Sequence, residues 1–154
     1  MANIVFNIAK GRVVELYNRA ESGDPANAAL ILVPIETSGL EADATLKDVD
    51  TLAALIAGTT NEQTTMGRKT LTAADLAALP APDDTNDLYE VSLPSVTWTA
   101  AAGNAISKIA VCYDPDTTGG DDTAIIPLTM FDFAQTPSGA DITLSTGVFF
   151  QAGE

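Results

Sequence analysis

Apolar positions between Ala105 and Phe133 fall into two β-rich runs. A-I-S-K-I-A-V-C-Y and T-A-I-I-P-L-T-M-F-D-F flank the nine residues D-P-D-T-T-G-G-D-D. β-branched and aromatic residues favour the pleat, while Asp, Pro and Gly favour turns, so the stretch predicts a hairpin with a long polar loop. Side chains alternate at period two, which puts Ile109, Val111 and Tyr113 on one face of the first arm. Lys108, Ala110 and Cys112 fall on the other face, small or amphipathic and expected to be half covered. In the second arm Ile126, Leu128 and Met130 share a face, with Phe131 and Phe133 opposite. Pro127 has no ladder donor, so this arm is expected to be an edge strand or to carry a bulge there. The core is expected to be built against this hairpin.

The remaining pattern is mostly of period two. Ile4, Phe6 and Ile8 alternate, Ala9–Arg12 turns around Gly11, and Val13–Asn18 returns, so residues 1–20 read as an N-terminal hairpin. Ala29–Pro34 is continuously apolar, as in a strand covered on both faces or in a subunit contact. Leu46, Val49, Leu52, Leu55 and Ile56 recur at three and four, which predicts a helix within 40–58, with Asp43 or Thr45 as cap and Gly58 past its end. Arg68–Thr72 reads as a short strand, and Ala73–Leu79 as one or two helical turns before Pro80 and Pro82. Pro80–Asp87 is an extended acidic connector inside one domain. Leu88–Leu93, then Val96 and Trp98 beyond Pro94, then Ile142–Gln151 with a bend at Gly147, complete about eight strands. The expected fold is mainly β: an antiparallel β-sandwich or barrel, jelly-roll-like, with one short helix packed on it.

Size and charge narrow the picture. A chain of 154 residues makes one domain, residues 1–154, able to bury roughly 68–70% of its unfolded surface without a disulfide, which its single Cys could not form internally. Met1–Ile8 is too short and polar for a secretory h-region, and the longest apolar run, Ala28–Ile35, falls far short of the ~20 residues of a membrane helix. A soluble protein made in a cytoplasm is therefore expected. Of the net charge of −14, residues 1–20 contribute +2 through Lys10, Arg12 and Arg19 against Glu15, and the rest of the chain contributes −16. An acidic body repels nucleic acid and anionic membranes, so neither is expected as a partner. The basic start is suited to an acidic surface.

No motif for chemistry emerges. With no His, the usual general base, the Ser-His and Cys-His pairs and the commonest zinc ligand are missing. Cys112 on a strand reads as a small core residue and Trp98 as a core anchor. Asp114, Asp116, Asp121 and Asp122 form either a solvated hairpin tip or a calcium site. Their start resembles an EF-hand loop, but Ile125 stands where the twelfth-position Glu belongs, and helices do not flank it. The paired acids Asp83–Asp84 and Asp121–Asp122 lie in turns, where acids face water, and no sugar platform accompanies them. No catalytic residue and no cofactor is expected, and the protein is not expected to be an enzyme.

Two stretches are similar to small virion proteins of tailed bacteriophages. One is T-N-D-L-Y-E-V-S-L-P-S-V-T-W-T-A-A-A-G-N-A-I-S-K-I-A-V-C-Y-D (Thr85–Asp114); the other is I-I-P-L-T-M-F-D-F…G-A-D-I-T-L-S-T-G-V-F-F (Ile125–Phe150). The likeness covers about the C-terminal half and rests on pattern. It implies a structural protein on the outer capsid surface of the virion, most like a capsid decoration (cement) protein that binds the major capsid protein as a homo-oligomer, with a trimer favoured. Lys10, Arg12 and Arg19, with Leu30 and Leu32 of the apolar run, are then the expected shell or subunit contacts. A tail, neck or head-fibre component is the viral alternative. A calcium-dependent carbohydrate-binding module using Trp98 is the alternative outside that class.

Overall fold

The computed structural model describes residues 4–153, and the predicted central hairpin organises it. In chain order the elements are β1 (Ile4–Val5), α1 (Val13–Ser22), β2 (Ala29–Glu36), α2 (Asp43–Leu46), α3 (Leu52–Leu55), β3 (Lys69–Leu71), β4 (Leu88–Leu93), β5 (Val96–Trp98), β6 (Ile106–Asp114), β7 (Ile126–Gln135), β8 (Ile142–Leu144) and β9 (Gly147–Gly153). Five strands form one antiparallel sheet in the order β1-β7-β6-β2-β3. β4 pairs with β9 and β5 with β8, also antiparallel. Leu93 faces Gly147 and Val96 faces Leu144, so the register runs on unchanged across the break at Pro94. Together these four short strands make one bent two-stranded ribbon. The pairs β6–β7, β5–β8 and β4–β9 nest inside one another.

Layers of side chains cover both faces of the main sheet. On one face Leu30, Leu32, Ile109, Val111 and Leu128 pack against α1 and the ribbon. On the other, Ile31, Val33, Ile35, Ala110, Cys112 and Met130 pack against α2, α3 and Phe6. Such a strand has no polar face to alternate with, which is why 29–34 reads as an unbroken apolar run. The face carrying Ala110 and Cys112, expected to be half covered, is fully buried. At roughly 1.5–3 kcal/mol for each large apolar side chain removed from water, these two layers dominate the stability.

The fold class is as expected, strand-rich and antiparallel with one helix of ten residues; several elements differ. Val13–Ser22 is helix α1, not the return arm of a hairpin, and residues 1–3 of that expected hairpin lie outside the described residues. Val13, Leu16, Tyr17 and Ala20 recur at helical spacing and are all buried, and Gly23 closes the helix with φ +63°. Burying that stripe against the sheet outweighs the β preference of the adjacent valines. The predicted helix within 40–58 is two single turns, because Thr51 restarts the chain by capping the backbone N–H of Ala54. Residues 72–76 close as one hydrogen-bonded turn. β7 is not an edge strand, since β1 pairs along it; instead the register shifts beside Pro127. That bulge sends Leu128 into one core and Met130 into the other, where a regular strand would have kept them together. The last strand divides into β8 and β9 with the ribbon's bend.

Candidate functional site

The basic face expected near the N-terminus is carried by α1. Lys10 and Arg12 lie in the tight turn before it and Arg19 in its last turn, where a cation suits the helix dipole. All three are exposed. Glu15 lies between the two arginines, 3.4 Å from Arg12 Nε and 3.0 Å from Arg19 Nε. Hydrogen bonds from Arg12 and then Arg19 hold its carboxyl below the usual range. The other face of α1 is seated in the core: Tyr17 stacks on Phe149 at 6.0 Å and donates its hydroxyl to the Ala77 carbonyl at 2.8 Å. Arg19 therefore stands on a fixed element, with Arg12 at its N-terminal cap. Leu30 and Leu32, the other expected contacts, are 0% exposed beneath that helix and can reach no partner.

The four aspartates of the 114–122 segment do not converge. Asp114 accepts the Asp116 N–H at 2.9 Å, Asp116 accepts the backbone and hydroxyl of Thr118, and Asp121 does the same for Thr123. Asp122 turns away to Arg68. Among the described residues no three Asp, Glu, Cys or His side chains are grouped to hold a metal ion. Asp114, Asp116 and Asp121 each serve a local turn, which for Asp116 and Asp121 the spacing Asp-x-Thr encodes. Nor is the loop a free tip: Thr117 donates N–H and hydroxyl to the Asn27 carbonyl, and Leu52 and Ala53 donate to the Ile125 and Asp122 carbonyls.

Two ion-pair clusters were not foreseen. Arg68 grips Glu62 and Asp122 at once, each through two hydrogen bonds of 2.6–2.8 Å. That fork is the arrangement guanidinium geometry favours. Asp122 is held below the usual carboxylate range, chiefly by the Arg68 hydrogen bond. A cavity of about 200 Å³ lies beside it, bordered by Ile31, Thr70, Asp114 and Thr117. Lys108 is the second: its side chain is 9% exposed and its ammonium reaches Asp132 at 2.6 Å and Asp43 at 3.4 Å. Burial alone would lower the Lys108 pKa, and the two carboxylates more than offset it. The only sequence signal for either was scarcity, two cations among seven in so acidic a chain.

Trp98 and Cys112 sit where expected, in the core. Trp98 is 1% exposed, donates its indole N–H to the Gly67 carbonyl at 2.9 Å and lies 6.5 Å from the Phe133 ring. It offers no platform to a sugar. The Cys112 thiol is fully buried and its pKa is pushed far up by that burial, so it is not a nucleophile at neutral pH. A pocket of about 420 Å³ beside the ribbon is bordered by Asp83, Asp84, Asp87 and Tyr89, with Asp83 occupied in a local turn. No protein-family model matches this chain, nor does any curated protein or solved structure.

Proposed function

We propose that this chain is a structural protein of a tailed-phage particle, a capsid decoration (cement) protein that binds the outer head shell through the cationic face before and along α1. The observation that carries the proposal is where the two phage-like stretches lie. Thr85–Asp114 contains β4, β5 and β6, Ile125–Phe150 contains β7, β8 and most of β9, and each strand of the first stretch pairs with one of the second, β4 with β9, β5 with β8 and β6 with β7. The likeness thus covers the two halves of one nested antiparallel unit. The cations support the docking surface: Lys10, Arg12 and Arg19 are exposed on a chain otherwise charged −17, so they are suited to an acidic patch of the major capsid protein.

Imaging heads of the encoding phage with and without the chain tests the assignment. Density for it on the outer shell is the expected result; density only at the tail or neck favours the other virion role, and its absence from the particle overturns both. Replacing Lys10, Arg12 and Arg19 together by Glu should lower occupancy on purified heads by roughly tenfold or more, since each cation at such a contact is worth of order 1 kcal/mol. Unchanged occupancy would refute the docking face.

A further inference from the structure

Residues 115–124 are held to the body by polar ties. None of them is buried, and none has an apolar side chain larger than proline. Thr117 donates its N–H and hydroxyl to the Asn27 carbonyl, Ala53 donates to the Asp122 carbonyl, and Arg68 donates to both Asp122 carboxylate oxygens at 2.6 and 2.8 Å. The chain on either side is rooted differently, with Tyr113 and Ile125 buried in the two apolar layers. A segment with few apolar contacts opens at a lower free energy than the core it covers. Arg68 belongs to the body, because it donates two further hydrogen bonds to Glu62, which pairs with Ile35 next to the end of β2. Beneath the loop lies the cavity of about 200 Å³ that Ile31 borders. Ile31 is directly across from Cys112 in the β2–β6 register, and Arg68, Asp122, Glu62 and Asp114 are near enough for their charges to act on its thiol.

We infer that residues 115–124 form a flap latched by the Arg68–Asp122 pair, that acid releases the latch, and that the flap then opens as a unit and uncovers Cys112 while the sheet stays folded. Asp116 and Asp121 close turns within the flap, so it keeps its own shape when it swings out. The Asp122 carboxylate accepts both guanidinium hydrogen bonds only while it is ionised. The charged groups facing it are Arg68 and Glu62 from the segment before β3, Asp114 from the end of β6 and Asp121 beside it in the loop. α3 and Asn27 contribute backbone groups, and Lys69 stands on the other face of β3, across from Leu32. Arg68 holds the Asp122 carboxyl below its usual range in the closed state. Closure is therefore favoured at neutral pH and fades as pH falls below the open-state value of about 4. The flap does not depend on the chain's being a capsid component.

Labelling of Cys112 in the full chain by 4,4′-dithiodipyridine tests it, each rate being divided by that of the chain unfolded in guanidinium at the same pH. The wild type should label several-fold faster at about pH 3 than at neutral pH, with the far-UV circular dichroism of the sheet unchanged. D122N removes the latch and keeps the side-chain shape. It should label roughly tenfold or more faster than the wild type at neutral pH and lose most of the acid response. K108M removes the other ion-pair cluster and should leave both rates as they are. Hydrogen exchange at neutral pH should find the Thr117 and Ala53 amides faster than those of β6 in the wild type, and faster still in D122N alone. The wild-type arms stand whether or not D122N folds. Labelling that rises only where the circular dichroism falls, D122N labelling no faster than wild type, equal effects of D122N and K108M, or flap amides that exchange no faster than those of β6 would each overturn the inference. Head occupancy, measured separately, reports on the proposed function alone.

Discussion

Gln63 shows how a single side chain can hold two loops together. It is 1% exposed, and its amide is fully used: Nε2 donates to the Ala102 and Asn104 carbonyls, and Oε1 accepts from the Thr65 and Met66 N–H groups. Gly103, at φ +106°, passes so close that a Cβ there would meet the Gln63 amide. Gln63→Leu keeps the volume but strands four backbone groups, so chemical denaturation should register a loss of about 2–4 kcal/mol. Lys108 behaves differently because its partners reach water. Asp132→Ala leaves a buried ammonium with only the longer contact to Asp43 and should cost about 1–2 kcal/mol. Lys108→Met removes the buried charge itself and leaves carboxylates that water can solvate, so its cost should be the smaller of the two. The reverse order would mean the ion pair contributes more than burial of the lysine costs.

At the scale of elements, α1 and the 115–124 loop are the informative cases. α1 ends on Gly23 at φ +63°, where an added Cβ would make only an ordinary contact with Ala73 Cβ at 4.0 Å, so Gly23→Ala meets backbone strain and no clash. About 1 kcal/mol, or a fall in Tm of roughly 2–4 °C, is expected. The loop is strapped to the body by Arg68, and this gives it a pH signature. The Asp122 pKa is lowered in the fold, so its stabilisation is present at neutral pH and is lost as pH falls below the unfolded value of about 4. Arg68→Met should flatten the acid limb of a Tm-against-pH curve as well as lowering it; parallel curves would show that the pair is not linked to folding. These two elements also mark what the sequence makes legible. The strands β4 to β7 were readable because period-two patterning and turn residues agree. α1 carried a helical stripe, a Glu15–Arg19 pair and a terminal Gly, but its two valines and the turn before it mimic a hairpin. The Arg68 cluster joins residues 62, 68 and 122, and no local pattern announces a contact across that separation.

The whole molecule is governed by its acidic charge. With a net charge of −14, self-repulsion works against the compact state, so added salt should raise Tm by a few degrees. A fall would mean that the exposed ion pairs of α1 outweigh it. The pairing order adds a constraint in time. β6 finds β7 across eleven residues of loop, but Leu88 meets Gly153, the far ends of the nested unit. On a ribosome β4 and β5 emerge well before β8 and β9, and cannot close the ribbon until those have followed. Val91, Leu93 and Trp98, the apolar lining of that ribbon, lack their β8–β9 partners until those strands have been made.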